Sequence, residues 1–131
     1  MRAHPVPPSE WTDPRHLRGL RGERVALAFL AARGYEIEAH RFRLGRHDLD
    51  LVARQGRVVA FVEVKTRRGA AFGAPAEAVG RRKRAILARV AECWRLRWGR
   101  PRDIYRFDVI GVVEDAAGAM AVEHLVDAWR L

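Results

Sequence analysis

The sequence predicts an α/β fold, a mixed β-sheet with helices packed on its faces, and three observations carry that prediction. A helical stretch closes at Gly34; the apolar runs Asp48 to Arg54 and Arg57 to Lys65 flank Gln55-Gly56; and a second helical stretch closing at Gly99 precedes the apolar run Tyr105 to Val113. In order these give helix, three strands, helix, two strands, an alternation that suits a sheet covered on both faces. At 131 residues the chain can bury one hydrophobic core, so a single domain is expected over residues 14–131.

Residues 1–13, with Pro5, Pro7 and Pro8 and little apolar content, read as a flexible arm. Asp13 can cap the first helix, Pro14 suits its first turn, and Gly34 is a natural stop. Gly19 and Gly22 weaken its first half, which leaves Glu23 to Arg33 as the firm part, with Glu23 at the end of the inward stripe of Leu27 and Leu30. Tyr35 to Arg43 alternates crudely and reads as a half-exposed strand. The runs around Gln55-Gly56 read as an antiparallel hairpin. Arg67 to Ala74, with Gly69 and Gly73, reads as a mobile loop. Pro75 can open a second helix that runs to Trp98, with an inward stripe of Val79, Lys83, Ile86, Leu87, Val90 and Trp94, and Gly99 and Pro101 stop it. Tyr105 to Val113 and Met120 to Leu125 supply the last strands.

A formal charge of +9 favours polyanions such as nucleic acid, with binding that falls steeply with salt. An Arg-rich coding bias that keeps the chain soluble accounts for the same excess. No apolar run reaches the roughly 18 to 20 residues that span a bilayer, and the first residues lack the apolar stretch of a secretion signal. A cytoplasmic location and no membrane partner are expected. With Cys93 as the only cysteine there is no internal disulfide and no thiolate metal cluster.

Of 25 Lys and Arg residues, only Lys65 and Lys83 are lysines. A lysine where Arg is the default cation points to a site that wants a compact ammonium with tunable proton affinity. Coding bias explains it equally well until its surroundings are read. Strand periodicity puts Glu63 and Lys65 on one face of their strand, and Asp48 and Asp50 likewise share a face of theirs. A Gln55-Gly56 turn pairs Arg54 with Arg57, Asp50 with Phe61 and Asp48 with Glu63, which sets Asp50 diagonal to Glu63. Clustered carboxylates repel unless a cation offsets them, and Mg²⁺ commonly bridges one or two carboxylates to a substrate phosphate. The alternative is a solvated strand face with Lys65 paired to an acid, worth about 0 to 1 kcal/mol. Against it, both acid-bearing runs otherwise read as buried strands. Lys83 either snorkels past the core edge or joins the site. Arg67, Arg68, Arg81, Arg82, Lys83 and Arg84 flank the acids in sequence and as a group suit phosphate contact. His47 beside a turn reads as solvated, Asp108 as a structural acceptor for Arg106 or loop amides, and Trp94 and Trp98 as core.

Gly22-Glu23-Arg24 with Ala26, Gly34-Tyr35, Asp48-Leu49-Asp50-Leu51-Val52, Phe61-Val62-Glu63-Val64-Lys65-Thr66-Arg67, Glu77-Ala78-Val79 with Lys83, and Arg106-Phe107-Asp108-Val109-Ile110 resemble, in order, the bacterial YraN-like family. That family falls in the restriction-endonuclease-like superfamily of PD-(D/E)xK nucleases, similar to archaeal Holliday-junction resolvases. The resemblance covers about Leu20 to Trp129. It implies a restriction-endonuclease-like fold, with Asp50 as the motif aspartate, Glu63 as the second metal-binding acid, Lys65 as the motif lysine and the Val64 carbonyl as a further ligand. Glu23 matches the helix-borne acid of resolvase-like members, or else is a carboxylate favouring a helix N-terminus. Asp48 stands where relatives usually carry Glu, so it reaches metal directly or through water. The implied function is a Mg²⁺- or Mn²⁺-dependent endonuclease on DNA, branched DNA included, with a homodimer left open because resolvases act as dimers. The alternatives are a catalytically idle nucleic-acid-binding module and an adaptor protein.

Overall fold

Gly34 ends the first helix in the way its missing β-carbon allows. Its φ is +87°, and the amides of Gly34 and Tyr35 donate to the carbonyls of Ala31 and Leu30, the paired bonds of a Schellman motif. The computed structural model describes residues 14–69 and 79–130. It contains α1 (Pro14–Ala32), β1 (Glu36–Leu44), β2 (His47–Gln55), β3 (Val58–Arg68), α2 (Arg81–Trp98), β4 (Ile104–Glu114) and β5 (Met120–Trp129), the predicted order. The strands form one five-stranded sheet in sequence order, antiparallel except for β3 and β4, whose parallel pairing requires the crossover that α2 provides. Two cores cover the two faces. Ala26 and Leu30 of α1 meet Leu51, Val62 and Ile110, while Leu87, Val90 and Trp94 of α2 meet Leu49, Val52, Phe61 and Val109.

Three boundaries and one core assignment differ from the sequence reading. The second helix begins at Arg81, not Pro75: Val79 is buried in the core and Gly80 is an extended N-cap, a position glycine accepts, while residues 75–78 lie outside the described residues. Arg67 and Arg68 belong to β3, because pairing with β4 continues to Arg68↔Glu114; of the expected mobile loop, residues 70–74 lie outside the described residues, as does the expected arm at 1–13. The last strand runs on to Trp129, across a bulge opposite Phe107 and Val109 where Asp127 takes φ +53°. Trp98 is half exposed, edge-on to Phe42, whereas Trp94 is core as expected.

Gly22 has a packing reason to be glycine. A β-carbon there would meet Thr66 Oγ1 at 1.8 Å and Thr66 Cβ at 3.0 Å, so α1 lies directly on β3 at this point. Gly22→Ala is expected to destabilise the protein by roughly 1 to 2 kcal/mol in urea unfolding, overpacking outweighing the ~1 kcal/mol gain in helix propensity. Adding Thr66→Ala should recover part of that loss.

At the sheet end where α2 leaves, a buried ion network ties three elements together. The Arg54 guanidinium donates to both Asp103 oxygens at 2.6 and 2.9 Å and to Glu38 at 2.5 Å, and the Arg100 amide also donates to Asp103. The Arg54 bonds, working against burial, hold Asp103 far below the usual carboxylate range.

Candidate functional site

The hairpin register differs from the one assumed, and the difference builds the site. Gly56, at φ +61°, is the first central residue of the turn and Arg57 the second, the position where a type II′ turn wants glycine. Gln55 therefore pairs with Val58, and the ladder ends at Leu51↔Val62. Asp50 and Glu63 are the residues that follow the last pair on each strand, beyond the end of the regular ladder. The pairs Asp50–Phe61 and Asp48–Glu63 do not form.

The β2 strand leaves regular pairing on both sides at Asp50. Its carboxylate Oδ2 accepts the Val64 amide at 2.8 Å, in place of a ladder bond. On the other side the β1 ladder passes from His40↔Leu51 to Phe42↔Leu49, and the intervening Arg41 takes φ +58°. Leu49 and Val52 consequently enter the α2 core while Leu51 and Ala53 enter the α1 core, so strict alternation breaks at Asp50. Left-handed backbone in a bulky residue costs on the order of 1 to 3 kcal/mol and concentrates at functional sites.

Asp50 opens onto two cavities. One, of about 500 Å³ on the α2 side, is lined by Asp48, Asp50, Glu63, Val64, Lys65 and Lys83 among others. The second, of about 340 Å³, is lined by Gly19, Glu23, Asp50, Lys65, Thr66 and Arg67. Asp50 and Glu63 thus share one pocket, and Lys65 touches both.

Burial, then the Glu63 charge, holds Asp50 well above the ordinary carboxylate range, against the pull of the Val64 amide. Burial also raises Glu63, partly offset by Lys83 and Lys65. Burial and the neighbouring Lys83 lower Lys65, with Glu63 and Asp50 opposing. Lys83 is raised: burial works against its charge, but Glu63 and the Lys65 amine outweigh it. Lys83 Nζ lies 3.1 Å from Glu63 Oε2, whereas Glu63 Oε1 is buried with no hydrogen-bond partner among the described residues. An orphaned carboxylate oxygen beside a second carboxylate of high proton affinity is a pair of oxygen donors whose chemistry suits a cation. Among the described residues no three His, Cys, Asp or Glu side chains form a closed metal cage. The acid pair instead fits an ion that keeps most of its waters, as Mg²⁺ does.

Glu23 lies well inside α1, which removes the helix N-terminus explanation for it. It is buried, paired with Arg41 and with His40 Nε2 at 3.2 Å; burial raises its pKa against these two partners. Its charge contributes to the shift of Asp50. Arg67 lines the α1-side cavity and Arg68 follows it on exposed strand. Arg81 and Arg82 are exposed at the start of α2. Arg84 turns back, donating to the Val79 carbonyl at 2.8 Å with its guanidinium 5.8 Å from the Trp129 ring. Lys83, grouped in sequence with these arginines, sits instead on Glu63. Asp108 is a structural acceptor as expected, fully buried and bonded to Arg106, His124 and the Asp127 amide.

Sequence reading missed the His40 and Arg41 clamp on Glu23 and the presence of Arg46 in the lining of the acid pocket. The crude alternation of β1 was the only signal for the first. Gly45 before Arg46 was a signal for the second, since it takes φ +64° in the two-residue turn between Leu44 and His47.

The chain matches a family model described as "Uncharacterised protein family UPF0102" over residues 22–112, a span that contains Glu23, Asp50, Glu63, Lys65 and Lys83. A UPF0102 protein of Beutenbergia cavernae is 47% identical over 107 residues, 82% of this chain and 91% of that protein. One from Geobacter sulfurreducens is 36% identical over 126 residues, covering 96% of this chain and 98% of its own length. One from Chlorobium phaeobacteroides is 32% identical over 124 residues, covering 91% and 97%.

Proposed function

This chain belongs to the uncharacterised protein family UPF0102, and from that premise and the acid pocket we propose that it is a metal-dependent endonuclease of the PD-(D/E)xK kind that hydrolyses phosphodiester bonds in branched DNA. The observation that carries the reading is the orphaned Glu63 Oε1 in the pocket that Asp50 and Lys65 also line. Asp50 and Glu63, with the Val64 carbonyl and with Asp48 acting through a water, would hold Mg²⁺ or Mn²⁺, which when bound supplies charge stabilisation at the phosphate and a more acidic attacking water. Lys65, its proton affinity lowered by burial and by Lys83, would donate a hydrogen bond to charge developing on the phosphate or orient an attacking water. Lys83 holds one Glu63 oxygen and so aims the other. The Val64 amide fixes the Asp50 carboxylate in the same way. Arg67, Arg68, Arg81 and Arg82 supply flanking phosphate contacts, and Glu23 adds negative charge from the α1 side.

The test is purified protein with branched, duplex and single-stranded DNA in Mg²⁺ or Mn²⁺, beside Lys65→Ala. Cleavage that falls about 10²-fold or more in the variant supports the reading; equal cleavage by both proteins points to a contaminant and removes it. A second reading, an idle nucleic-acid-binding module, is favoured by Lys83, whose ammonium already offsets Glu63. Calorimetry with Mn²⁺ separates the two, because the idle module binds DNA without taking up metal.

A further inference from the structure

A third cavity, of about 330 Å³, opens beside the acid pocket and shares Arg46, His47 and Ile86 with it. Leu44, Arg89 and Val90 complete its walls. The fold places it there: Gly45 and Arg46 form the tight turn from β1 to β2, with Leu44 paired to His47 at its base, and α2 runs alongside. Leu44 is 38% exposed, a large aliphatic side chain facing an open pocket. Among the described residues neither Arg46 nor Arg89 makes an ion pair or hydrogen bond, in a chain where Arg21, Arg54, Arg106 and Arg130 all do.

An aliphatic floor between two free guanidiniums, continuous with a phosphodiester site, is complementary to one ligand class. A nucleobase can lie against Leu44 and Ile86 and under a guanidinium plane, while its phosphate meets the second arginine. A paired base cannot enter, since its faces are stacked and its edge is bonded, and extrusion costs least where the base is already unpaired. We propose that this cavity receives the nucleotide next to the scissile phosphate, so that the enzyme selects DNA carrying an unpaired nucleotide at the cleavage point. The proposal rests on the endonuclease reading and specifies its substrate; a branch point is one place where such nucleotides occur.

The test uses the full chain in EDTA, where no cleavage occurs, and two duplexes of equal length. One carries a single bulged 2-aminopurine, a fluorescent base; the other carries it paired. The expected result is a saturable fluorescence change and binding about tenfold tighter for the bulged duplex. Leu44→Glu and Arg89→Glu should each cut that preference to about twofold or less, with circular dichroism checking the fold; Arg89 lies on an exposed helix surface, so its variant guards against misfolding of the other. Equal binding of the two duplexes by the wild type, or an undiminished preference in both variants, overturns this proposal and leaves the nuclease reading standing. Failure to bind any DNA overturns both.

Discussion

Asp50→Asn is expected to lower DNA cleavage by at least about 10²- to 10³-fold and, at neutral pH without added metal, to raise the melting temperature by a few degrees. Both effects come from the same burial. In the folded chain, desolvation and the adjacent Glu63 raise the Asp50 pKa above its unfolded value, so the native state holds that proton more tightly. Stability from this group is therefore present at low pH and is lost as pH rises from about 4, the unfolded value, through the raised folded value. Glu63 adds in the same direction. Asparagine keeps an oxygen for the Val64 amide and removes the charge. The melting advantage of the variant should accordingly shrink as pH is lowered towards about 4. Added Mn²⁺ should raise the melting temperature of the wild type, by about 2.7 kcal/mol of stability at a hundredfold excess over Kd, and leave the variant unmoved. A variant that melts below the wild type at pH 7, or that cuts DNA at the wild-type rate, would contradict this account.

Asp103→Ala should cost about 3 to 5 kcal/mol, a large share of the 5 to 15 kcal/mol typical of a whole domain. The Arg54 and Asp103 side chains are both buried, and removing the carboxylate leaves the guanidinium with Glu38 and a long bond of 3.5 Å to the Gly56 carbonyl. Urea unfolding measures the loss. Replacing both partners, as Arg54→Met with Asp103→Leu, should return much of it, since no buried guanidinium is stranded and Glu38 keeps Arg100 at 3.8 Å. The pH signature is opposite to that of Asp50. Asp103 is depressed in the folded state, so its contribution is complete above about pH 4 and is lost as pH falls from there through the folded value. A single variant that unfolds at the wild-type urea midpoint would show the network to be idle.

The element order, the Gly34 stop and the convergence of Asp50, Glu63 and Lys65 were legible in the chain because each depends on periodicity or on one residue's backbone freedom. The hairpin register was not. Whether Gly56 is the first or second central residue of its turn depends on which backbone angles the flanking strands demand, and local composition does not encode that. The convergence survives the change of register because Asp50, Glu63 and Lys65 line one pocket just past the end of the regular ladder. Lys83 shows the opposite case. In sequence it sits among three arginines near the start of α2 and reads as part of a phosphate-binding group, yet its ammonium meets a carboxylate 20 residues earlier in the chain, across the crossover.

The amino-acid sequence by itself determined the α/β class, the basic character and the identity of the acids and the lysine, since these follow from residue chemistry and short-range spacing. Only the tertiary structure decided that Asp50 leaves both ladders to open two cavities, that Lys83 and Glu23 close around it from separate helices, and that an aliphatic pocket adjoins them. Those features arise from contacts between residues distant in the chain, whose geometry is set by how the strands twist and the helices seat.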